Sequence, residues 1–288
     1  MSRGGAIVVL AAVLAAAGGG LAAWLQDSSG GTSAPVTTAT ATRPAAPVTL
    51  RIIFPEGFTR REMAARVDAV RAIAIRKRGV TPRLTSSAYR AVTARVFAPI
   101  GFRKDAKRHI EGFLFPATYE FTPQTTAKQL VAEQLAVFNR RFATVNLRYA
   151  RSKNLTAYDV LIIASMIEKE AVVPAERRLI AAVIYNRLHA RMPLGIDATI
   201  RYGLNIPGTK SLTKAALASS SPYNTRRFPG LPPTPIANPG IASIRAAAHP
   251  ARVRYLYFVR KPDKKHHFFT ADENEFLRKV CEYGFGCK

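Results

Sequence analysis

The chain has 288 residues, and 43 Lys and Arg against 18 Asp and Glu give it a formal net charge of +25. Its 48% apolar content supplies a real core for one large domain or two smaller ones plus appendages. Such a charge attracts polyanions, either nucleic acid or an anionic envelope, and the N-terminus excludes the first.

Residues Ala6–Leu25 carry no charge, are mostly Ala, Val, Leu and Gly, and follow Arg3. Twenty such residues match the hydrocarbon thickness of a bilayer. The apolar region of a signal peptide is shorter, about 7–15 residues. The run therefore reads as an uncleaved plasma-membrane anchor, although its Ala–Gly content leaves cleavage open. Positive-inside reasoning puts the N-terminus in the cytoplasm and the body outside, so no nucleic-acid partner is expected. Residues 1–26 form the stub and anchor. Residues 27–47, rich in Ser, Thr, Ala and Pro, read as a flexible tether.

Folded structure begins with a strand in VTLRIIFPEG, residues 48–57, where Val48, Leu50 and Ile52 alternate with polar neighbours. Thr59-Arg-Arg-Glu is a capping box opening a helix, and a second helix is expected near Ser86–Val96. The stretch 97–123 ends in the strand-like GFLFPATYEF, which makes 48–123 a small α+β module. Residues 124–288 form the second domain, and the fold class is α+β. Its first helix runs from about Thr126 to Phe142, with Leu130, Val131, Leu135, Val137 and Phe138 inward.

A second helix starts at the Thr156–Asp159 capping box and stops before Pro174. Ile163, Met166 and Ile167 precede Glu170 at helical spacing, so Glu170 extends an apolar stripe, while Glu168 points toward the face of Leu161, Ala164 and Ser165. A carboxyl at the end of such a stripe is partly desolvated, its pKa rises, and it can serve as a general acid. The plain alternative is a helix-end Glu with its charge turned to water. The next helix has Pro174 and Glu176 in its first turn, where the dipole favours a carboxylate, and ends before Pro193. Residues 193–240 are a long, Pro/Gly-punctuated functional loop. YLYFV and HHFFT read as a β-hairpin around RKPDKK, and DENEFLRKVCEYG as a short amphipathic helix. Cys281 and Cys287 can pair in an oxidising compartment. No metal site is expected, because His266 and His267 are strand neighbours facing opposite ways and neither HExxH nor CxxC occurs. No cofactor is expected either.

The blocks ASMIEKEAVVPAERRLIAAVIYNRL, PLGIDATIRYG, SPYNTRRFPGLPPTPIANPG and AAAHPARVRYLYFV resemble the endolytic murein transglycosylase (YceG-like) family, over about Val48–Phe276. The resemblance implies a LysM-like module at 48–123 and a catalytic domain at 124–288. It implies cleavage of the MurNAc–GlcNAc β-1,4 bond of peptidoglycan glycan strands, leaving 1,6-anhydro-MurNAc ends, with cell-wall synthases as partners. The second Glu of the family's Glu-Lys-Glu motif falls on Glu170, and Asp197 and Thr199 carry over from its Asp-Pro-Thr triplet. Gly195 and Ile196 depart from the family, which commonly has a Gln nearby. Asn186, Asp197, Tyr223 and Asn224 are the candidates for holding the glycan, and Glu168 supports the site or is the alternative acid. Asn186 could instead serve buried contacts on its helix, and Tyr223 and Asn224 could instead build a turn.

Two competing classes stand beside this reading. Ser211-Leu-Thr-Lys214 fits the SxxK pattern of penicillin-binding serine acyltransferases, but no KTG companion exists, and Ser211 also reads as a helix cap. A membrane-tethered, non-catalytic peptidoglycan-binding protein would satisfy the charge equally.

Overall fold

Residues 48–106 and 109–286 are described by the computed structural model, all within the unit Ala46–Lys288. The Ala6–Leu25 run, the 27–47 tether and Cys287 lie outside the described residues, while Cys281 is not a free thiol. Among the described residues no helix is long and apolar enough to cross a membrane.

Strand β1 (Leu50–Ile53) buries Leu50 and Ile52 and exposes the residues between them, as the alternation predicts. It pairs antiparallel with β2 (Thr118–Phe121), Leu50 opposite Phe121 and Ile52 opposite Tyr119. Between the two strands lie α1 (Arg60–Arg78), α2 (Ser86–Arg95) and the single turn α3 (Arg103–Ala106). Thr59 and Glu62 form the expected capping box on α1, and Gly79 ends that helix at φ +62°.

Helix α4 (Ala127–Phe142) turns Leu130, Val131 and Phe138 inward. It also buries Gln134, which accepts from the Tyr89 hydroxyl at 2.7 Å and is satisfied there despite its polarity. After α5 (Arg148–Ser152) comes α6 (Ala157–Glu170), the central helix of the domain. The sequence suggests one apolar stripe, but α6 is buried all round from Val160 to Ile167. Part of its cover is α10 (Ile241–Ala248), a helix the sequence reading does not assign. Its run of small residues hides the periodicity, and its N-cap, Gly240, carries no side-chain cap.

A 3-10 turn at Pro174–Glu176 leads into α7 (Arg177–His189). The 193–240 stretch holds two short helices, α8 (Asp197–Gly203) and α9 (Lys214–Leu217). Thr213, rather than Ser211, caps α9 by accepting from Ala216 N–H, and Ser211 is exposed. Strands β3 (Tyr257–Arg260) and β4 (His267–Thr270) form the expected hairpin, followed by α11 (Glu273–Glu282).

One hydrophobic core runs through both sequence halves, from Ile52, Met63 and Tyr89 to Phe138, Ile163 and Ile244. Its seam is tight at Gly112, which sits at φ +92°, and a Cβ there would lie 2.7 Å from Pro235 Cγ. Gly112→Ala is expected to destabilise the fold by about 3 kcal/mol through overpacking and backbone strain, read as a lower urea midpoint.

Candidate active site

Glu170 ends α6 with its side chain 16% exposed, at the junction of two cavities of about 580 and 990 Å³. Both volumes fall in the range of small-molecule sites, about 300–1,000 Å³. Glu170, Asp197, Phe258, Arg260 and Phe285 line both, so the two are lobes of one groove meeting at the carboxyl. The first lobe is the more polar of the two, adding Arg61, Arg201 and Tyr202. The second is more apolar, with Leu194, Tyr257, Phe276 and Leu277. Flat apolar walls of this kind suit the C–H faces of sugar rings, and the polar wall suits their hydroxyls.

Burial raises the Glu170 pKa from 4.5 to about 6, Asp197 adds to the rise, and Arg260 opposes it. Arg260 Nη2 stands 3.8 Å from Glu170 Oε2, too far for a hydrogen bond and near enough to steady the anion once it forms. Position matters as well, since the C-terminal end of a helix dipole disfavours a carboxylate. The group therefore keeps its proton well above the ordinary carboxylate range.

Asp197 is the sequence candidate brought closest to this carboxyl. It opens α8, lines both lobes, and is bonded by Arg226 Nε at 2.6 Å. The turn before it depends on Gly195 at φ +67°, whose N–H donates to the Thr225 carbonyl. Ile196, the other departure from the family pattern, is buried against the second lobe. Thr199 is fully buried beneath that turn, donating its hydroxyl to the Ile196 carbonyl at 2.7 Å.

The other candidates line neither lobe. Glu168 accepts from the Gly240 N–H at 2.9 Å, supplying the cap that α10 lacks. Glu56 presses on the same glycine, and its carboxyl pKa is raised by burial and by Glu168. Asn186 donates to the carbonyls of Val253 and Tyr255 and so anchors the approach to β3. Tyr223 bonds Thr234 at 2.7 Å, packs edge-on to Tyr202, and lines a third cavity with Glu111. Asn224 is fully buried and donates to the carbonyls of Leu217 and Ser219, which ties the loop together.

Several groups around the groove escape the sequence reading. Arg260 comes from a strand end ninety positions away in the chain. Glu176 stands in the turn that opens α7, where the sequence puts it, and it also serves a distant strand. Its carboxylate accepts from the His267 backbone N–H at 2.9 Å and meets that ring's Nδ1 at 2.7 Å. The two histidines do part company as strand neighbours should: His266 bonds Asp263, and His267 lines the first lobe. Glu111 is a further buried carboxyl, raised to about 7 by desolvation, which takes hydrogen bonds from Arg60 N–H, Asn238 and Tyr202. No local sequence signal marks it, because its partners are all distant in the chain. Among the described residues no cluster of His, Cys, Asp or Glu could hold a metal ion.

The YceG-like family model matches residues 31–282. A Bacillus subtilis protein named endolytic murein transglycosylase is 40% identical over 161 residues, which is 56% of this chain and 44% of that protein. A Streptococcus pneumoniae protein of the same name is 34% identical over 184 residues, 62% of this chain and 33% of that protein. The chain thus spans less than half the length of these curated relatives. A crystal structure of a YceG-like protein from Listeria monocytogenes superposes with a TM-score of 0.65 at 28% identity, covering 79% of this chain and 75% of the other.

Proposed function

The chain belongs to the YceG-like family, and from that premise we propose that it is an endolytic peptidoglycan lytic transglycosylase with Glu170 as its acid and base. The observation that carries the proposal is a buried carboxyl, protonated up to about pH 6, at the meeting of two groove lobes. A glycan strand can extend to both sides of such a group, which suits internal rather than terminal cleavage.

Glu170 gives its proton to the glycosidic oxygen as the bond from that oxygen to C1 breaks. The resulting carboxylate, steadied by Arg260, then takes the proton of the MurNAc C6 hydroxyl as that oxygen bonds to C1. The bound hydroxyl takes the place of water, so a second catalytic carboxylate is unnecessary. Asp197, held by Arg226, adds negative potential where the sugar ring becomes cationic.

The same proposal covers the finer organisation. Ala6–Leu25 is a single-pass anchor with a cytoplasmic N-terminus, 48–123 a LysM-like module, and 124–288 the catalytic domain, working beside cell-wall synthases. The anchor is supported by the uncharged N-terminal run behind Arg3, and the glycan-cleaving domain by the names of the relatives.

Digestion of purified sacculi tests the reading. The protein is expected to release soluble glycan fragments with kcat/KM falling as pH rises through about 6, where Glu170 loses its proton. A rate that is flat from pH 5 to 8 would rule out Glu170 as the acid.

A further inference from the structure

The cycle above makes no use of the buried histidine–carboxylate pair on the groove wall. The His267 side chain is 1% exposed and that of Glu176 9%. Both oxygens of Glu176 are spent on this one residue, Oε1 on its backbone N–H and Oε2 on ring Nδ1. Nδ1 facing a carboxylate oxygen at 2.7 Å carries the ring proton. Nε2 is then a bare acceptor with no hydrogen-bond partner among the described residues, and it is not one of the atoms sealed from solvent, so it opens toward the groove. It belongs to a residue lining the 580 Å³ lobe that Glu170 also lines.

The location is fixed by the hairpin. His267 stands directly across from Arg260 in the β3–β4 register, and cross-strand partners project to the same face. Arg260 reaches Glu170, so the imidazole and the acid share one wall of the groove. Rings of Phe258 at 5.4 Å and Phe269 at 6.1 Å hold the imidazole edge-on. Burial pushes the His267 pKa below 6.5 and Arg260 pushes the same way, against Glu176 and Asp263, which keeps the acceptor unprotonated.

We propose that His267 is a second substrate contact of this groove, with Nε2 accepting a hydrogen bond from a glycan hydroxyl beside Glu170 and Glu176 fixing the ring and its tautomer. The proposal rests on the glycan-cleaving reading and adds to it a site for one hydroxyl.

Two substitutions separate this role from a structural one. In His267→Asn the amide nitrogen falls near the Nδ1 position and still donates to Glu176, but nothing occupies the place of Nε2. In Glu176→Gln the backbone N–H of residue 267 claims the amide oxygen, so the NH₂ faces Nδ1 and drives the ring proton to Nε2. The acceptor thereby becomes a donor while every internal hydrogen bond survives. Each variant is expected to lower kcat/KM on sacculi about tenfold or more, mostly through KM, with a urea midpoint near that of the parent. Parental kcat/KM in a folded His267→Asn or Glu176→Gln protein overturns the proposal and leaves Glu170 untouched. Co-sedimentation with sacculi in a Glu170→Gln background makes the outcome independent of turnover. Weaker binding on adding either substitution supports the contact, and equal binding overturns it. An inactive parent chain would instead count against the glycan-cleaving reading itself.

Discussion

Glu170→Gln is expected to abolish release of glycan fragments, with a loss of about 10³-fold or more, and yet to give a more stable protein at pH 7.5. The amide is close to isosteric but has no proton of suitable acidity for the leaving oxygen, and it cannot take up the C6 hydroxyl proton. The stability gain follows from the same burial. The carboxyl titrates near 4.5 when unfolded and at about 6 in the fold. The folded state therefore binds more protons between these values, and stability falls as pH rises from 4.5 toward 6. With a side chain only 16% exposed, that shift corresponds to about 2 kcal/mol at pH 7.5, which a neutral amide recovers. The gain should vanish below about pH 4, where both forms are protonated. Urea titrations at pH 4 and 7.5 check the sign. Parental activity in Glu170→Gln would contradict its role as acid and base, and a variant less stable at pH 7.5 than at pH 4 relative to the parent would contradict the burial of this group.

Asn238→Ala is expected to be the most damaging single change to the fold, at about 4 kcal/mol. Asn238 is fully buried and uses every polar atom. Its Oδ1 accepts from Gly112 and Leu114 N–H at 2.9 and 3.0 Å, and its Nδ2 donates to the Phe58 carbonyl and to Glu111 Oε1. Its backbone exchanges two further bonds with residues 57 and 58. Truncation leaves the N–H groups of Gly112 and Leu114 buried without their partner, each worth about 1–3 kcal/mol before relaxation, while the Phe58 carbonyl and Glu111 Oε1 each keep one other donor. That approaches the whole stability of many domains, about 5–15 kcal/mol. These bonds tie the 230s segment, including the groove residue Ile236, to the 48–123 stretch. A urea midpoint within error of the parent would mean the junction is not the keystone described.

How much of this was legible in the sequence depended on range. Thr59 and Thr156 announce their helices because a capping box is written within four residues, and both boxes form, joined by a third at Thr126. The β3–β4 hairpin and the burial of Glu170 follow from local periodicity in the same way. Features that depend on distant partners were not readable. Glu168 caps α10 from 72 positions away, Glu176 binds His267 from 91, and Asn238 reaches Glu111 from 127. Tyr223 and Asn224 stand in a motif-like block, but their side chains face Thr234 and the loop carbonyls. A motif marks a segment as important without saying whether its side chains point to substrate or hold the backbone that does. The Ala-rich α10 was missed because small residues pack closely without leaving a strong periodic pattern.

The most direct test of a single carboxyl acting as acid and then base is the mass of the new muramyl end released from sacculi by the purified full chain. The account predicts anhydro ends, one water lighter than reducing ends, from the parent and none from Glu170→Gln. Reducing ends, or glycan that co-sediments with the protein uncut, would contradict it.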